Sequence, residues 1–245
     1  MEKQTTGEKI RLDKMLGNLG IGTRKEIKAL VRTGVVTVNG QIVKDSSVHV
    51  LVPQDLVEIE GTPLNYRKFV YLMLHKPPGV VSATHDNRDE TVVDLLDEEY
   101  WPFEVFPVGR LDKDTEGLLL LTNDGQLAHN LLSPKKHVMK TYYAKINGEV
   151  TSKDIAAFAG GVVLEDGYKT LPAQLEILES GPVSEVKVSI QEGKFHQIKR
   201  MFLAVHKEVT YLKRLTMGTL ELDPNLALGA YRELTETELN ALRQG

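Results

Sequence analysis

The chain has 245 residues, 41% of them hydrophobic and 26% charged, with a formal net charge of −4. This is an ordinary globular composition, long enough for one large domain or a small and a medium one, and nothing global in it announces a polyanion partner. The absence of cysteine excludes thiol chemistry, disulfides and thiolate-bound metals, and fits a reducing cytoplasm.

Residues 1–8 are polar and read as a frayed end without the apolar core of a signal segment. The longest apolar run, 69–74, is far shorter than the roughly 20 residues of a membrane helix, so a cytoplasmic protein with no membrane partner is expected. A short segment at 10–16 precedes a helix over 24–32, capped by Thr23 with Glu26 completing a capping box. Ile27, Leu30 and Val31 give this helix an apolar face, and Gly34 stops it. Residues 35–38 and 41–43 flank Asn39-Gly40, the strongest short hairpin signal.

Between positions 9 and 44 the bases Lys9, Arg11, Lys14, Arg24, Lys25, Lys28, Arg32 and Lys44 are opposed only by Asp13 and Glu26. That local excess suits phosphate contacts; by charge alone it fits a solvated helix face equally well. Residues 11–14, the basic helix and the ending 34–40, in that order, resemble the S-four-type RNA-binding domain over residues 9–60. The resemblance implies docking on structured RNA, with phosphate contacts supplying position more than sequence choice. A strand at 56–60 closes the unit. The expected division is a domain at 1–62, a linker at 63–68 and a second domain at 69–245.

The second domain opens on a buried strand at 69–74, which His75-Lys76-Pro77-Pro78-Gly79 is expected to stop. A polar loop at 84–89, a short helix at 91–96 and a strand at 104–108 follow. The strand at 118–122 leads to a helix capped by Asn123 or Asp124, with Leu127, Leu131 and Leu132 on one face and Ser133-Pro134 at its end. Further strands are expected at 140–148, 175–178 and 183–190. One helix follows the cap Thr151 and ends at Gly160-Gly161. An amphipathic helix spans 194–205, with Ile198, Met201, Phe202 and Val205 as its core stripe. Short strands and a final helix, capped by Thr235 with Glu238, complete the chain. Strands and helices mix without a regular βαβ alternation, so the fold class is α+β.

Residues 109–125 set Arg110, Asp112, Lys113, Asp114 and Glu116 between two glycines and run into four leucines. That pattern is a polar loop anchored on a buried strand, where chemistry is often carried. Asp112, Asp114, Glu116 and Gly117 match the first positions of a calcium loop, but Asn123 stands where a bidentate Glu is needed. Asp112-Lys113-Asp114-Thr115 has the spacing of a phosphoaspartyl phosphatase, but Gly109-Arg110 interrupts the strand such a site needs. The third reading is an aspartate acting on the sugar of a nucleotide.

Together, residues 109–125, Lys140-Thr141-Tyr142 and residues 192–202 resemble three motifs of the RNA pseudouridine synthases. The pattern is most similar to the ribosomal small-subunit branch, and the resemblance spans nearly the whole chain. It implies a bilobed catalytic domain with a central, mainly antiparallel sheet, needing neither cofactor nor metal. The substrate it implies is 16S rRNA or a small-subunit assembly intermediate; the alternatives are a large-subunit (23S) rRNA enzyme of the same family and a non-catalytic RNA-binding ribosome-assembly factor, and a monomer is expected. By the same resemblance, Asp112 is the catalytic carboxylate, as nucleophile or as base. Lys199 is its counter-charge, where many relatives have Arg. Tyr142 packs on a base removed from its stack, and Arg110 fills the space that base leaves. Lys194 and Arg200, with Lys207, Lys213 and Arg214, are a candidate second basic surface near the cleft. Asp114 and Asp124 read as loop and cap residues, and His196 as structural or adjacent to substrate. The seven histidines show no metal-ligand spacing.

Overall fold

The computed structural model describes residues 8–244, so the expected frayed end lies outside the described residues except for Glu8. The described chain forms two compact units. One runs to Phe69 and takes in Glu98–Glu104; the other comprises Val70–Asp97 and the chain from Val105 onward.

The first unit contains β1 (Glu8–Arg11), α1 (Leu12–Asn18), α2 (Arg24–Thr33), β2 (Val36–Val38), β3 (Gln41–Ile42), β4 (His49–Val52), β5 (Val57–Ile59) and β6 (Thr62–Pro63). The start of α2 follows from its cap. The Glu26 carboxylate accepts from the Thr23 amide at 2.7 Å, and the Glu26 amide donates to the Thr23 hydroxyl at 3.4 Å. Gly34 ends the helix at φ +85°, a left-handed conformation that only glycine adopts freely. Asn39 and Gly40, both at positive φ, turn β2 into β3 as the hairpin signal requires. Leu12, Met15 and Leu16 of α1 pack with Ile27 and Val31 of α2 and with Val36, Val50 and Val57. The stretch expected as a linker is structured at its start. β6 pairs with β5, and Tyr66 is buried in this core with its hydroxyl accepting from Asn18 at 2.9 Å. The segment Glu98–Glu104 also belongs to this unit, where the Arg67 guanidinium lies over the Phe103 ring.

The second unit is built on a nine-stranded sheet. Its strands are β7 (Tyr71–Lys76), β8 (Phe106–Pro107), β9 (Glu116–Thr122), β10 (Lys140–Asn147), β11 (Gln174–Glu179), β12 (Val183–Ile190), β13 (Glu208–Met217), β14 (Leu220–Glu221) and β15 (Tyr231–Glu233). The main path runs β11-β12-β10-β13-β9-β7-β15, and only β13 with β9 is parallel among the paired strands. The fold is therefore α+β with a central, mainly antiparallel sheet. The four leucines of β9 are all fully buried, as a strand in mid-sheet covered on both faces demands. The helices are α3 (Gly125–Leu132), α4 (Ser152–Gly160), α5 (Gln197–Ala204) and α6 (Glu236–Gln244). Asp124, not Asn123, caps α3, accepting from Gln126 and Leu127 amides at 3.1 Å.

Three expectations are corrected. Residues 91–96 form turns, not a helix; the Thr91 and Asp94 side chains bond each other's amides as a helix start would, but the chain turns instead of continuing. β7 continues through His75 and Lys76, because the ladder with Leu118 and Gly117 still holds there. The helix expected from 194 begins at Gln197, preceded by His196 in the left-handed region.

Candidate active site

The loop between β8 and β9 is fixed from below before it presents any charge. Ser82 is buried, and its hydroxyl both accepts from the Leu111 amide and donates to the Leu111 carbonyl, each at 3.0 Å. The Gly79 amide donates to the Lys113 carbonyl at 2.7 Å. Lys76 is fully buried, and its ammonium donates to the carbonyls of Pro77, Thr115 and Lys113 at 2.9, 3.0 and 3.3 Å. Burial pushes its pKa down to about 8, against the opposing pull of Asp114, Asp112 and Glu116. Gly117 lets the loop end where it does. At φ +107° it lies so close to β13 that a Cβ would collide with the Arg214 backbone.

On this support stands a cluster of charges. Lys199 of α5 reaches Asp112 at 3.2 Å and Asp114 at 2.6 Å, and His196 Nε2 lies 3.6 Å from the other Asp112 oxygen. Burial works against the charge on Lys199, but its hydrogen bond to Asp114 and the two carboxylate charges outweigh burial and hold its pKa above the ordinary lysine value. Asp114 shows the converse. Partial burial raises its pKa, and the Lys199 bond and charge more than offset that to leave it lowered. Asp112 is a quarter exposed, Asp114 three-quarters. Asp112 thus has access to a ligand while one face is held by the ammonium.

Asp112 opens into a cleft lined by Arg110, Leu111, Thr115, Tyr142, Ile190, Lys194, His196, Ile198 and Leu212, among others. Tyr142 sits in β10 between Val188 of β12 and Arg214 of β13, buried except for 7% of its surface. The cleft therefore combines an aromatic and aliphatic lining with the Asp112 carboxylate, the Lys194 ammonium, the His196 imidazole and the exposed Arg110 guanidinium, the Lys199 ammonium being bound to Asp112. Flat apolar surface beside convergent polar groups can grip a planar ring and orient it by its polar edge.

Of the residues singled out from sequence, Asp112, Tyr142, Lys199, Arg110 and Lys194 come together here. Arg200 does not contribute a free cation; its guanidinium is held by Glu165 at 2.6 Å and Asp166 at 2.5 Å. The expected second basic surface is largely neutralised. Lys207 pairs with Asp154 at 2.9 Å, and Arg214 is buried, donating to the Leu118 carbonyl at 2.7 Å. Asp114, expected as a plain loop residue, makes the shorter bond to Lys199. Lys76 and Ser82 went unnoticed, because a lysine after an apolar strand reads as its end and a lone serine carries no spacing signal. In the first unit, Lys9, Lys14, Arg24, Lys25, Lys28 and Arg32 are exposed and have no ion pair among the described residues. Arg11 is the exception, paired with Asp13 at 2.6 Å.

Compared with protein families, residues 70–204 match RNA pseudouridylate synthase and residues 10–57 match the S4 domain. The chain is 55% identical over 236 residues to an uncharacterized RNA pseudouridine synthase of Bacillus subtilis (strain 168), covering 96% of this chain and 99% of that one. It is 41% identical to ribosomal small subunit pseudouridine synthase A of Salmonella typhimurium, covering 94% of this chain and 98% of the relative. It is 38% identical to ribosomal large subunit pseudouridine synthase B of Bacillus subtilis (strain 168), covering 95% of each. A crystal structure of a pseudouridylate synthase superposes with a TM-score of 0.66 at 37% identity, covering 95% of this chain and 99% of that one. With its S4 domain, its mainly antiparallel catalytic sheet and a family match across more than half its length, the chain belongs to the RNA pseudouridylate synthase family, isomerases that act on RNA.

Proposed function

We propose that the chain converts one uridine of 16S rRNA to pseudouridine, acting on RNA of the small subunit or one of its assembly intermediates. The observation that carries this reading is the Asp112 carboxylate, 3.2 Å from Lys199 at the edge of a cleft lined by Tyr142. In the reaction the C1′–N1 bond breaks, the uracil turns, C5 bonds to C1′, and the proton from C5 is exchanged for one on N1. Asp112 engages the ribose, and a carboxylate serves there as nucleophile at the anomeric carbon or as base toward the neighbouring ribose carbon. Lys199 fixes the carboxylate and its charge. Tyr142 supplies a flat face for the flipped uracil, and Arg110 enters the gap left in the RNA. The first unit, with Lys14, Arg24, Lys25, Lys28 and Arg32 exposed and without an ion pair among the described residues, holds structured RNA by its phosphates.

The small-subunit assignment is supported by the relative at 41% identity. The 38% identity to a large-subunit enzyme, across 95% of both chains, favours 23S rRNA as the second reading. The two separate in one experiment. Protein is incubated with 16S and 23S RNA from a strain lacking it, and pseudouridine is mapped by chemical modification and primer extension. A new stop in 16S RNA is expected; one in 23S RNA alone overturns the small-subunit assignment.

A further inference from the structure

The loop between β12 and α5 carries a side chain that the Asp112–Lys199 pair does not use. Phe195 is 76% exposed, the largest value among the exposed large apolar side chains described. Its ring is nonetheless fixed. It stacks on His196 with centroids 3.8 Å apart and planes 17° from parallel, and His196 is the residue beside the Asp112 carboxylate. His196 is held at φ +48°, uncommon for a residue other than glycine and kept only where surroundings enforce it. Those surroundings are visible. The Lys194 amide donates to Gln197 Oε1 and Gln197 Nε2 donates to Glu192, both at 2.8 Å. Glu192 also accepts from the Tyr168 hydroxyl at 2.7 Å and the Leu171 amide at 2.9 Å. Arg200 adds a longer bond to the Phe195 carbonyl.

We propose that Phe195 is the stacking platform for the base next to the uridine being isomerised. The proposal deepens the proposed function and rests on Asp112 as the group that meets that uridine. Its ground is the order Asp112, His196, Phe195 outward from the reacting carboxylate. A nucleotide withdrawn from its stack leaves its neighbour with a bare face, and an exposed aromatic ring one stacking layer beyond the site replaces the lost contact. A protein partner is disfavoured by the setting. Gly193, Lys194 and His196 flank Phe195, so no apolar side chain adjoins it along the chain. Lys194, its ammonium 4.8 Å from the Tyr168 ring centroid, supplies a cation beside the same segment. Stacking accepts any base, so Phe195 selects an unpaired neighbour rather than a particular nucleotide.

The test uses single-stranded heptanucleotide RNAs with a central uridine and 2-aminopurine placed on either side in turn. Binding of the wild-type chain is expected to quench one of the two. Phe195→Ala is expected to abolish that quench and weaken binding about tenfold, whereas Phe195→Trp retains both. An RNA abasic at the quenched position is expected to bind wild type and Phe195→Ala equally. Absence of quenching at both positions, its persistence in Phe195→Ala, or an undiminished loss on the abasic RNA overturns the proposal. Because the ring is mostly solvent-exposed, an unchanged Tm checks that Phe195→Ala is folded. Asp112→Asn protein is carried alongside. Quenching that survives in it, whatever its turnover, separates the fate of Phe195 from that of Asp112.

Discussion

The two units use the same charged residue types in opposite ways. On α2, Lys25, Lys28 and Arg32 recur at helical spacing on one exposed face and meet no carboxylate within ion-pair distance among the described residues. Around the cleft, Lys199 is shared by Asp112 and Asp114, Arg200 is held by Glu165 and Asp166, and Lys76 is buried among carbonyls. A surface that attracts phosphate gains from cations left uncompensated, since neutralised phosphates release counterions and drive binding. A site that holds one carboxylate in place needs its cations compensated, because an uncompensated partly buried charge is costly. Affinity and turnover should therefore be separable by substitution.

The sharpest separation is at Asp112. Asp112→Asn is expected to cut pseudouridine formation by about 10⁴-fold or more while leaving the RNA dissociation constant and its salt dependence unchanged. Turnover assays and filter binding on the same protein check it, and retained activity removes Asp112 from the reaction. Lys199→Met comes next, with a fall of about 100-fold, because one positioning charge is lost but the carboxylate stays. Lys199→Arg should recover part of that, the guanidinium keeping charge but changing the geometry of a pair shared by two carboxylates. If Lys199→Met instead weakens binding with turnover intact, Lys199 belongs with the α2 cations and the contrast fails.

On the other side, replacing Lys25, Lys28 and Arg32 together by Gln should weaken RNA binding at least tenfold and flatten the slope of log K against log salt by about 2 to 3. Turnover at saturating RNA should hold. An unchanged slope would show that this face is not a phosphate surface.

Lys76 bears on how firmly the loop is held. Its pKa of about 8 lies below the ordinary lysine value, so the folded chain gives up this proton before the unfolded chain does. The sign follows from linkage. Between pH 8 and the unfolded value the unfolded state binds more protons, and stability contributed by this group rises by at most about 1.4 kcal/mol per pH unit. Loss of the ammonium has the opposite effect on function, since it weakens the clamp on the Lys113 and Thr115 carbonyls. The rate is expected to decline severalfold above pH 8 while the urea midpoint does not fall, a divergence that Lys76→Met should abolish.

How legible these parts were in the sequence tracks how local their causes are. The α2 cap, the Asn39-Gly40 turn and β12 are set by residues within a few positions of one another, and each was readable in place. β13 was not recognised as a ten-residue strand in mid-sheet, because its alternation is blurred by Lys213 and Arg214, the latter buried by contacts with β9. The candidate site was legible where three separated motifs pointed at it. Its supports were not, since Lys76 and Ser82 act through carbonyls that any residue would present. Asp114 was passed over because its role depends on which acid Lys199 reaches first, a matter of tertiary distance.

The smallest expected effect is at Arg200, where sequence and structure pull apart. Read along the chain, Arg200 follows Lys199 in a basic helix and looks like another phosphate contact. In the fold its Nε donates to Glu165 and its Nη2 to Asp166, two acids that sequence places 34 and 35 positions away. Those bonds hold its pKa above the ordinary arginine value, with Asp166 the larger contributor. A cation so compensated offers little net field to a polyanion, and displacing it onto RNA would strand two carboxylates beside phosphate. Arg200→Gln should therefore leave the salt slope unchanged, any loss of affinity coming from the two carboxylates it frees. A slope flattened by about 1 would mean that RNA displaces the two acids, and Arg200 would then join the α2 cations as a phosphate contact.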